Sequence, residues 1–460
     1  MDANPTVDSD LIRRYDRNAP RYTSYPTALQ FHSGFDASAY RRAALLSNER
    51  VTPLSIYVHV PFCASPCFYC GCNRVITRSA TAGDRYVAAL AHEIELQAAL
   101  FHRSRFVTQI HFGGGTPTFL SIAQIGSIVD DIDRKFSRDP SNPRECSIEI
   151  DPRTVDEATM AGLVALGFNR FSLGVQDFDT QVQEAVNRIQ SVEQTRQAVE
   201  SARRHGVTAI GFDLIYGLPR QTLQSFNLTL DTTVALRPSR IAVYGYAHMP
   251  SMVKAQRQID AAELPSTSER LELLKLTVER LTAAGYVYIG MDHFALPDDP
   301  LAMALADGVL HRNFQGYSTQ PDCDLVGLGV SSIGKVGDAY VQNAKSLDEY
   351  YDRVERHQLA VTRGVNLTGD DRVRRDVIQR LMCQGVVDCA AIERDHCIVF
   401  GDYFADELAR LQTFRTDGLL DEIGSCIVVS NRGRFMVRNI AMVFDAYVQT
   451  QPHTAFSRAM

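Results

Sequence analysis

Residues 55–295 alternate short β-rich runs with longer stretches of helical periodicity. The predicted strands lie near residues 55–60, 108–112, 146–151, 170–175, 208–215, 240–246 and 286–291. The predicted helices between them include residues 85–100, 122–136, 192–205 and 270–284. Repeated β/α order is typical of a parallel sheet covered by helices. The sequence therefore predicts an α/β fold built on a barrel or partial barrel.

Side-chain parity along these strands predicts which residues face the barrel lumen. Successive strand residues point to opposite faces of the sheet. Glu149 lies between Ile148 and Ile150, and Asp213 follows Phe212 in the same alternating manner. Because the apolar set should contact the covering helices, we expect the polar set to line the lumen near the carboxyl ends of the strands. Barrel enzymes place their active sites at that end.

The two flanking regions differ from the barrel. Segment 20–26 (PRYTSYP) is aromatic and basic, and we expect it to be irregular and outside the core. After residue 365 we predict helices at 370–383 and 404–414, a hairpin at 418–431 and a last helix at 435–448. This order is typical of a winged-helix-like domain, which names a fold and not a function. The predicted division is an N-terminal arm (1–50), a barrel (51–300), a barrel-completing or linker segment (301–364) and a C-terminal helical domain (365–460).

Length and charge exclude several classes of protein. A chain of 460 residues can hold two or three domains. Its formal net charge of −7 argues against a nucleic-acid-binding surface. No apolar run approaches the ~18 residues of a membrane-spanning helix, and the first ten residues lack the basic and apolar regions of a signal peptide. We therefore expect a cytoplasmic protein.

Four of the ten cysteines lie in the run 63–72, directly after the first predicted strand. Cys63, Cys67 and Cys70 have CxxxCxxC spacing, and each thiolate can bind one iron of a [4Fe–4S] cluster. The fourth iron would then have an open coordination position. A structural zinc site would need a second pair of ligands, and a disulfide framework is typical of short secreted chains. The other cysteines are expected to be ordinary buried thiols: Cys146, Cys323, Cys383, Cys389, Cys397 and Cys426.

A glycine-rich segment, GGGTP at 113–117, follows the strand predicted at 108–112. Glycines at a strand exit let the backbone approach a ligand closely, although a tight turn has the same pattern. Glu149, Asp213, Gln176 and Arg188 are candidates for a polar ring in the lumen, and Arg188 taken alone is more typical of a solvated helix face. Four histidines are expected to be hydrogen-bonded lumen residues rather than metal ligands: His59, His111, His248 and His293.

The cysteine loop, with aromatic Tyr69 before its third thiol, resembles the cluster loop of radical S-adenosylmethionine (SAM) enzymes. The GGGTP segment is similar to the motif that meets the methionine end of SAM in those enzymes. Motifs over nearly the whole chain resemble the family of oxygen-independent coproporphyrinogen III oxidases. They are PRYTSYP (20–26), YVHVPFC (57–63), CGC (70–72), SLGVQDF (172–178), DLIYGLP (213–219), GMDHF (290–294), HRNFQGY (311–317) and FSR (456–458).

The resemblance implies a partial barrel of radical SAM type with a [4Fe–4S] cluster and SAM as cofactors. It assigns Cys63, Cys67 and Cys70 to the cluster and leaves Cys72 outside the ligand set. In that family the SAM region has been described as holding two SAM molecules. The residues that match it are Tyr57, Tyr69, Gly114, Gly115, Thr116, Glu149, Gln176, Arg188, Asp213, Ala247 and Ile333.

The activity implied by the resemblance is oxidative decarboxylation of two propionates of coproporphyrinogen III to vinyl groups, which gives protoporphyrinogen IX for haem biosynthesis. It implies a reductase or flavodoxin-like electron donor, an electron acceptor that the sequence does not identify, a monomer and no nucleic-acid partner. One alternative is a haem-binding chaperone of the same superfamily. Such relatives typically lack the CGC ending and the long N-terminal segment and carry an HNxxYW-type motif. Another is an electron carrier with Cys72 as fourth ligand.

Two arginines are candidate substrate ligands. A substrate rich in propionates needs guanidinium partners, because arginine presents a planar pair of donors to a carboxylate. Arg21 lies among the tyrosines and prolines of the N-terminal arm, and Arg312 lies in the HRNFQGY motif. The alternative for Arg21 is that it only attaches the arm to the barrel.

Overall fold

A curved sheet and its covering helices form most of the molecule. The computed structural model describes residues 5, 7–320 and 323–448. The arm contains helices α1 (Ser9–Tyr15) and α2 (Ala37–Ser47). The strands of the barrel region are β1 (Leu54–Val60), β2 (Phe62–Cys63), β3 (Val75–Ile76), β4 (Val107–Gly114), β5 (Glu145–Ile150), β6 (Arg170–Gln176), β7 (Ala209–Tyr216), β8 (Arg240–Gly245), β9 (Val287–Gly290), β10 (His293–Ala295), β11 (His311–Asn313), β12 (Gly316–Ser318), β13 (Asp324–Leu328), β14 (Ile333–Val336), β15 (Ala339–Asn343) and β16 (Val361–Asn366). Its helices are α3 (Ala80–Ala98), α4 (Ile122–Lys135), α5 (Glu157–Ala165), α6 (Thr180–Ala185), α7 (Val192–Arg204), α8 (Leu223–Leu236), α9 (Thr267–Ala283), α10 (Pro300–Ala306) and α11 (Leu347–Glu355).

The main sheet is a partial barrel of parallel strands that is extended at both edges. Its strand order is β16-β15-β14-β13-β1-β4-β5-β6-β7-β8-β10-β9. Strands β1 and β4 to β8 pair in parallel, with helices in the connections. On the other side of β1, β13 also pairs in parallel, and β14 to β16 continue the sheet antiparallel. The predicted α/β partial barrel is confirmed.

The seventh predicted strand, at 286–291, is not a parallel barrel strand. β9 forms an antiparallel hairpin with β10, and β10 pairs antiparallel with β8. Only Met291 and Asp292 separate β9 from β10, and a link of two residues allows a hairpin but no parallel crossover. The other six predicted strands and the four predicted helices are confirmed, with ends that differ by a few residues.

Local sequence explains where the covering helices begin. A Ser or Thr directly precedes each of helices α4, α7, α8 and α9. Its side chain accepts a hydrogen bond from the backbone amide of the third helical residue, and the side chain of that residue accepts one from the backbone amide of the Ser or Thr. Such caps contribute about 1 kcal/mol each. Strands β6 and β7 alternate buried and half-buried residues. Their apolar sets pack under the helices, so their polar sets face the lumen.

The C-terminal domain is mainly helical with a small antiparallel sheet. Its elements are α12 (Gly369–Gln384), β17 (Val386–Asp388), α13 (Cys389–His396), α14 (Phe400–Tyr403), α15 (Ala405–Thr416), β18 (Leu420–Ile423), β19 (Cys426–Val429) and α16 (Val437–Ala441). The predicted last helix at 435–448 is wrong in extent, because α16 is flanked by 3₁₀ turns at Arg434–Met436 and Met442–Phe444. Residues 435–444 are all buried, so this segment is packed on every side. The FSR motif at 456–458 lies outside the described residues.

The N-terminal arm is part of the core, so the expectation that segment 20–26 lies outside it is wrong. Tyr22 and Tyr25 are each 2% exposed. Tyr22 Oη donates to Asp445 at 3.0 Å, and Tyr25 Oη accepts from the Ala446 amide at 3.1 Å. Arg438 Nε donates to the carbonyl oxygen just before Arg21, at 2.9 Å. Segment 20–26 has no helix or strand, and the C-terminal domain supplies hydrogen-bond partners to it.

The scattered cysteines do not share one environment. Cys146, Cys323 and Cys383 are buried, and Cys389 and Cys426 are half-buried. Cys397 is exposed in a left-handed turn (φ 54°) after α13, so it does not fit the expected pattern of buried thiols. Within the described residues, no helix combines the length and apolarity needed to span a membrane.

A buried glutamate joins α3 to the loop between β13 and β14. Glu93 is 0% exposed. Its carboxylate accepts hydrogen bonds from the Gly329 amide at 2.7 Å, from Asn343 Nδ2 at 2.6 Å and from Tyr350 Oη at 2.7 Å. Despite these donors, burial raises the pKa of Glu93 from 4.5 to about 7. The loop that it holds leads directly to Ile333.

The raised pKa of Glu93 predicts a stability that depends on pH. A carboxyl group that holds its proton more tightly in the folded state contributes stability below pH 4.5 and loses it as pH rises through about 7. This difference corresponds to about 3 kcal/mol. Between pH 5 and 8, the unfolding free energy of the wild type should therefore fall relative to that of Glu93→Gln. Anaerobic urea titrations at several pH values measure it. Exposed Glu95→Gln is the control, and a parallel pH course for Glu93→Gln and wild type would contradict the assignment.

Candidate active site

The cysteine loop and the glycine-rich segment line one cavity of about 380 Å³ at the carboxyl ends of β1 and β4. The Gly115 amide donates to the Val60 carbonyl at 2.8 Å, and the Thr116 amide donates to that of Phe62 at 2.9 Å. A Cβ atom at Gly115 would lie 2.8 Å from two carbonyl oxygens of the segment after β1. Only glycine therefore allows the two segments to lie so close together.

Hydrogen-bond donors surround the sulfur atoms. Thr116 Oγ1 donates to Cys63 Sγ at 3.3 Å. The guanidinium groups of Arg188 and Arg153 lie 3.6 Å and 3.9 Å from Cys67 Sγ. Burial raises the pKa of the Cys63 thiol, and the hydrogen bond from Thr116 opposes this effect. The thiolate is the form of cysteine that binds metal.

The third and fourth cysteines interact with each other. A hydrogen bond from the Cys72 thiol, together with the charge of Arg74, lowers the pKa of Cys70 from 9.0 to about 6. Arg74 also donates to the carbonyl oxygens of Cys70 at 2.6 Å and of Cys67 at 3.1 Å, which fixes the loop. Cys72 is the exposed member of the four. Because its thiol forms the hydrogen bond that lowers the pKa of Cys70, it favours the thiolate form of Cys70.

A polar wall continues from the cysteine cavity into the barrel lumen. Glu149 Oε2 accepts from the Gly114 amide at 3.1 Å, and Asp213 Oδ2 accepts from Ser172 Oγ at 3.0 Å. Burial, and next the charge of Glu149, raises the pKa of Asp213 from 3.8 to about 7. Together with Gln176, these side chains line both the cysteine cavity and a neighbouring lumen cavity of about 360 Å³. The parity argument, which directed both carboxylates at one lumen, is confirmed.

Arg188 is buried in this wall and is not on a solvated helix face, since it is 7% exposed. Its Nη1 pairs with Asp151 at 3.1 Å, and its Nη2 donates to the Gly174 carbonyl at 2.6 Å. Asp151 also pairs with Arg153 at 2.7 Å. Sequence reasoning did not select Asp151 or Arg153 as site residues. Asp151 lies two residues after Glu149 and directly follows β5, so its side chain is expected on the same face as that of Glu149. This alternation could have identified Asp151 as a site residue.

The remaining predicted SAM-region residues are placed differently. Tyr69 lines the cysteine cavity, and its carbonyl shares the donor Gln256 Nε2 with the carbonyl of Ala247, at 3.0 Å in both cases. Tyr57 and Ile333 do not line this cavity. Tyr57 Oη lies 3.0 Å from the ring of His59, and Ile333 packs against an apolar cluster that contains Phe31, Tyr340 and Leu367.

Three of the four candidate lumen histidines have hydrogen-bond partners. His59 contacts the Asn73 carbonyl at 3.0 Å, His111 contacts Ser147 at 2.7 Å, and His248 contacts Tyr246 at 2.9 Å. His293 differs. Its Nδ1 has no hydrogen-bond partner in the described part of the chain, and burial lowers the pKa of His293 to about 3, so the ring is neutral.

The donor set fits a [4Fe–4S] cluster that carries SAM. Three thiols on one loop share a cavity with glycine amides and carboxylates, and positive side chains lie beside the sulfurs. Among the described residues, no three His, Cys, Asp or Glu side chains converge on a single ion. Thiolates of a four-iron cluster each bind a separate iron and have no need to converge.

Comparison with known proteins agrees with this chemistry. Residues 57–233 match the model of the radical SAM superfamily. The oxygen-independent coproporphyrinogen III oxidase of Pseudomonas aeruginosa is 49% identical over 453 residues, which cover 98% of both chains. The Escherichia coli K12 protein of the same name is 47% identical, also with 98% coverage of both. The chain belongs to the family of oxygen-independent coproporphyrinogen III oxidases.

The solved structure of coproporphyrinogen III oxidase from Escherichia coli, described as a radical SAM enzyme, superposes on this chain with a TM-score of 0.92. The match covers 96% of this chain and 100% of the other, at 46% identity. As a member of the oxygen-independent coproporphyrinogen III oxidase family, the chain is an enzyme whose cofactors are a [4Fe–4S] cluster and SAM.

Proposed function

We propose that this enzyme converts coproporphyrinogen III to protoporphyrinogen IX by oxidative decarboxylation of two propionate side chains. The observation that carries the proposal is the loop of three thiols, which opens onto a polar chamber. The chain is also 49% identical to the oxygen-independent coproporphyrinogen III oxidase of Pseudomonas aeruginosa. When bound, the cofactors supply a 5′-deoxyadenosyl radical that takes a hydrogen atom from the β-carbon of a propionate. Each propionate then releases CO₂ and gives one further electron to an acceptor, so that a vinyl group remains.

The residues of the chamber have separate proposed roles. Cys63, Cys67 and Cys70 hold three irons, and Cys72 stays outside the ligand set. Backbone amides of the GGGTP segment approach the methionine end of SAM. The remaining groups of the chamber bind the rest of SAM or orient it, and they are Tyr69, Glu149, Gln176, Arg188 and Asp213. Tyr57, Ala247 and Ile333 do not line the cluster cavity, and the proposal that they belong to the SAM region rests on the family resemblance alone. The hydrogen bond from the Gly114 amide to Glu149, and the effect of the charge of Glu149 on Asp213, support these assignments for the polar wall.

The cellular context is also part of the proposal. A reductase or flavodoxin-like donor supplies electrons to the cluster, and a separate acceptor takes the electrons released from substrate. The enzyme acts as a cytoplasmic monomer. Its division into an arm (1–50), a barrel (51–300), a barrel-completing segment (301–364) and a helical domain (365–460) stays a prediction.

An anaerobic assay of the reconstituted protein with dithionite, SAM and coproporphyrinogen III tests the function. We expect protoporphyrinogen IX, CO₂ and 5′-deoxyadenosine. Tight haem binding without conversion of the porphyrinogen would favour the haem-chaperone alternative. An electron paramagnetic resonance spectrum that saturating SAM leaves unchanged would favour an electron carrier.

Arg21→Ala should reduce protoporphyrinogen formation about 10- to 100-fold while SAM affinity is kept. Arg21 forms an ion pair with Asp292 and lies 5.4 Å from the ring of Tyr244, which lines the lumen cavity. A lost charge-assisted hydrogen bond accounts for that range. Exposed Arg17→Ala is the matched control in the arm. Arg21→Lys keeps the charge but not the paired donors, so full activity in this variant would show that Arg21 only attaches the arm to the barrel.

A further inference from the structure

A second large cavity, which we call the basal cleft, lies at the opposite end of the barrel from the cysteines. It has a volume of about 570 Å³ between the barrel, the β11–β12 hairpin and α12. Ser55 and Gln109, at the amino ends of β1 and β4, form part of its wall. Cys63 and Gly114 lie at the carboxyl ends, and five residues along β1 span about 17 Å. The basal cleft is therefore separate from the cluster cavity.

The basal cleft is connected to the cluster cavity through the lumen. Gln109 and Asn313 line both the basal cleft and the lumen cavity. Glu149 and Asp213 line both the lumen cavity and the cluster cavity. The three cavities thus follow one another along the barrel. An extended ligand could contact groups at both ends.

Positive charge dominates the basal cleft, although the whole chain has a net charge of −7. Its basic side chains outnumber its two carboxylates, and they are Arg50, Arg312, Lys335, Arg372 and Arg375. Asp338 is already paired with Arg50 at 2.8 Å and with Arg372 at 3.4 Å. The other carboxylate, Asp376, is paired with Arg380 at 2.8 Å. Among the described residues that line the cleft, positive side chains therefore outnumber negative ones by five to two.

Arg312 lines the cleft, and within residues 5, 7–320 and 323–448 it has no carboxylate partner. The residue is 5% exposed, and its Nε and Nη1 atoms make no hydrogen bond to this part of the chain. The guanidinium lies 4.7 Å from the ring of Tyr317. A buried charged donor without an acceptor is costly. The geometry is that of a site that receives an acceptor from a ligand.

We propose that the basal cleft binds the carboxylates of the two propionates that do not react. This inference rests on the proposed function and extends it to the substrate. Two propionates must reach the cluster cavity, and the two that persist in the product need partners elsewhere. Arginine binds carboxylates through paired donors, and Arg312 and Arg375 present guanidinium groups to the cleft. The chain of cavities gives the macrocycle a path between the two ends.

Fluorescence titration of the anaerobically reconstituted enzyme, without reductant, tests the site. The probes are coproporphyrin III, which carries four propionates, and mesoporphyrin IX, which carries only the two that persist. Arg312→Gln should weaken the binding of both probes about 10- to 100-fold, the range for a charge-assisted hydrogen bond. Arg375→Gln should weaken both in the same direction. Arg415→Gln is the matched control, because Arg415 also has an unpartnered Nε but does not line the cleft.

Three results would overturn the inference. One is unchanged affinity for both probes in Arg312→Gln and Arg375→Gln. Another is weaker binding of coproporphyrin III alone, because this would place the arginines against the reacting propionates. The third is equal weakening in Arg415→Gln, which would indicate a general structural effect. If Arg312→Gln fails to fold, as judged by its iron content and thermal unfolding, Arg375→Gln decides the question. Failure of wild-type enzyme to decarboxylate coproporphyrinogen III would instead overturn the proposed function, whatever the porphyrin affinities.

Discussion

Replacing Cys63, Cys67 or Cys70 by serine should abolish the cluster, whereas Cys72→Ser should still assemble one. A hydroxyl is a poor substitute for a thiolate at iron, and all four side chains line the same cavity. Cys72 differs because it is exposed and acts on the thiolate of Cys70 through a hydrogen bond. We expect iron and sulfide content near zero in the three variants and close to wild type in Cys72→Ser.

Iron and sulfide analysis after anaerobic reconstitution provides the measurement, and the visible absorption spectrum provides an independent one. Exposed Cys397→Ser is the control for loss of a thiol outside the loop. The three-ligand assignment would be wrong if Cys72→Ser lost iron and sulfide as completely as Cys67→Ser.

The second large effect is expected at the polar wall. Glu149→Ala and Asp213→Ala should keep the cluster but bind SAM up to ~100-fold more weakly and form little 5′-deoxyadenosine. Each change removes an acceptor from a partly buried polar site, and an unsatisfied buried donor costs about 1–3 kcal/mol. In the Glu149 variant the Gly114 amide loses its partner at 3.1 Å.

Equilibrium binding of SAM to the reconstituted variants measures this effect, with iron content as the check that the cluster is present. Glu145→Gln is a suitable control, because Glu145 lies on the same face of β5 and lines the lumen cavity but not the cluster cavity. Wild-type affinity for SAM in both alanine variants would show that these carboxylates serve another part of the chamber.

Much of the barrel and of its polar wall could be predicted from the sequence. The strands have a period of two, so the apolar neighbours of Glu149 and Asp213 revealed which face each carboxylate takes. The CxxxCxxC spacing is local, and the loop lies where the end of the first strand indicated. The Ser121 cap at the start of α4 is a local feature of the same kind, although it was not used in the prediction. These features depend on residues that are close together in the chain.

Features that depend on distant contacts could not be read in this way. Without the family resemblance, Arg188 was more typical of a solvated helix face. It is 7% exposed, because Asp151 and the Gly174 carbonyl bind its guanidinium group. The arm looked irregular, yet Tyr22 is buried against Asp445. The strand at 287–290 joined a hairpin instead of the parallel series, since pairing is decided by the link to its neighbour.

The sequence by itself determined the type of fold, the thiol loop and the polar faces of the strands, because spacing and alternation are properties of neighbouring residues. Only the tertiary structure decided which charges are paired and which are left without partners. Arg21 was the argued candidate as a substrate ligand and Arg312 was its rival. Arg21 pairs with Asp292, whereas within the described part of the chain Arg312 has no carboxylate partner and lines the basal cleft. Whether a buried charge has a partner depends on elements far apart in the chain, and folding alone brings those together.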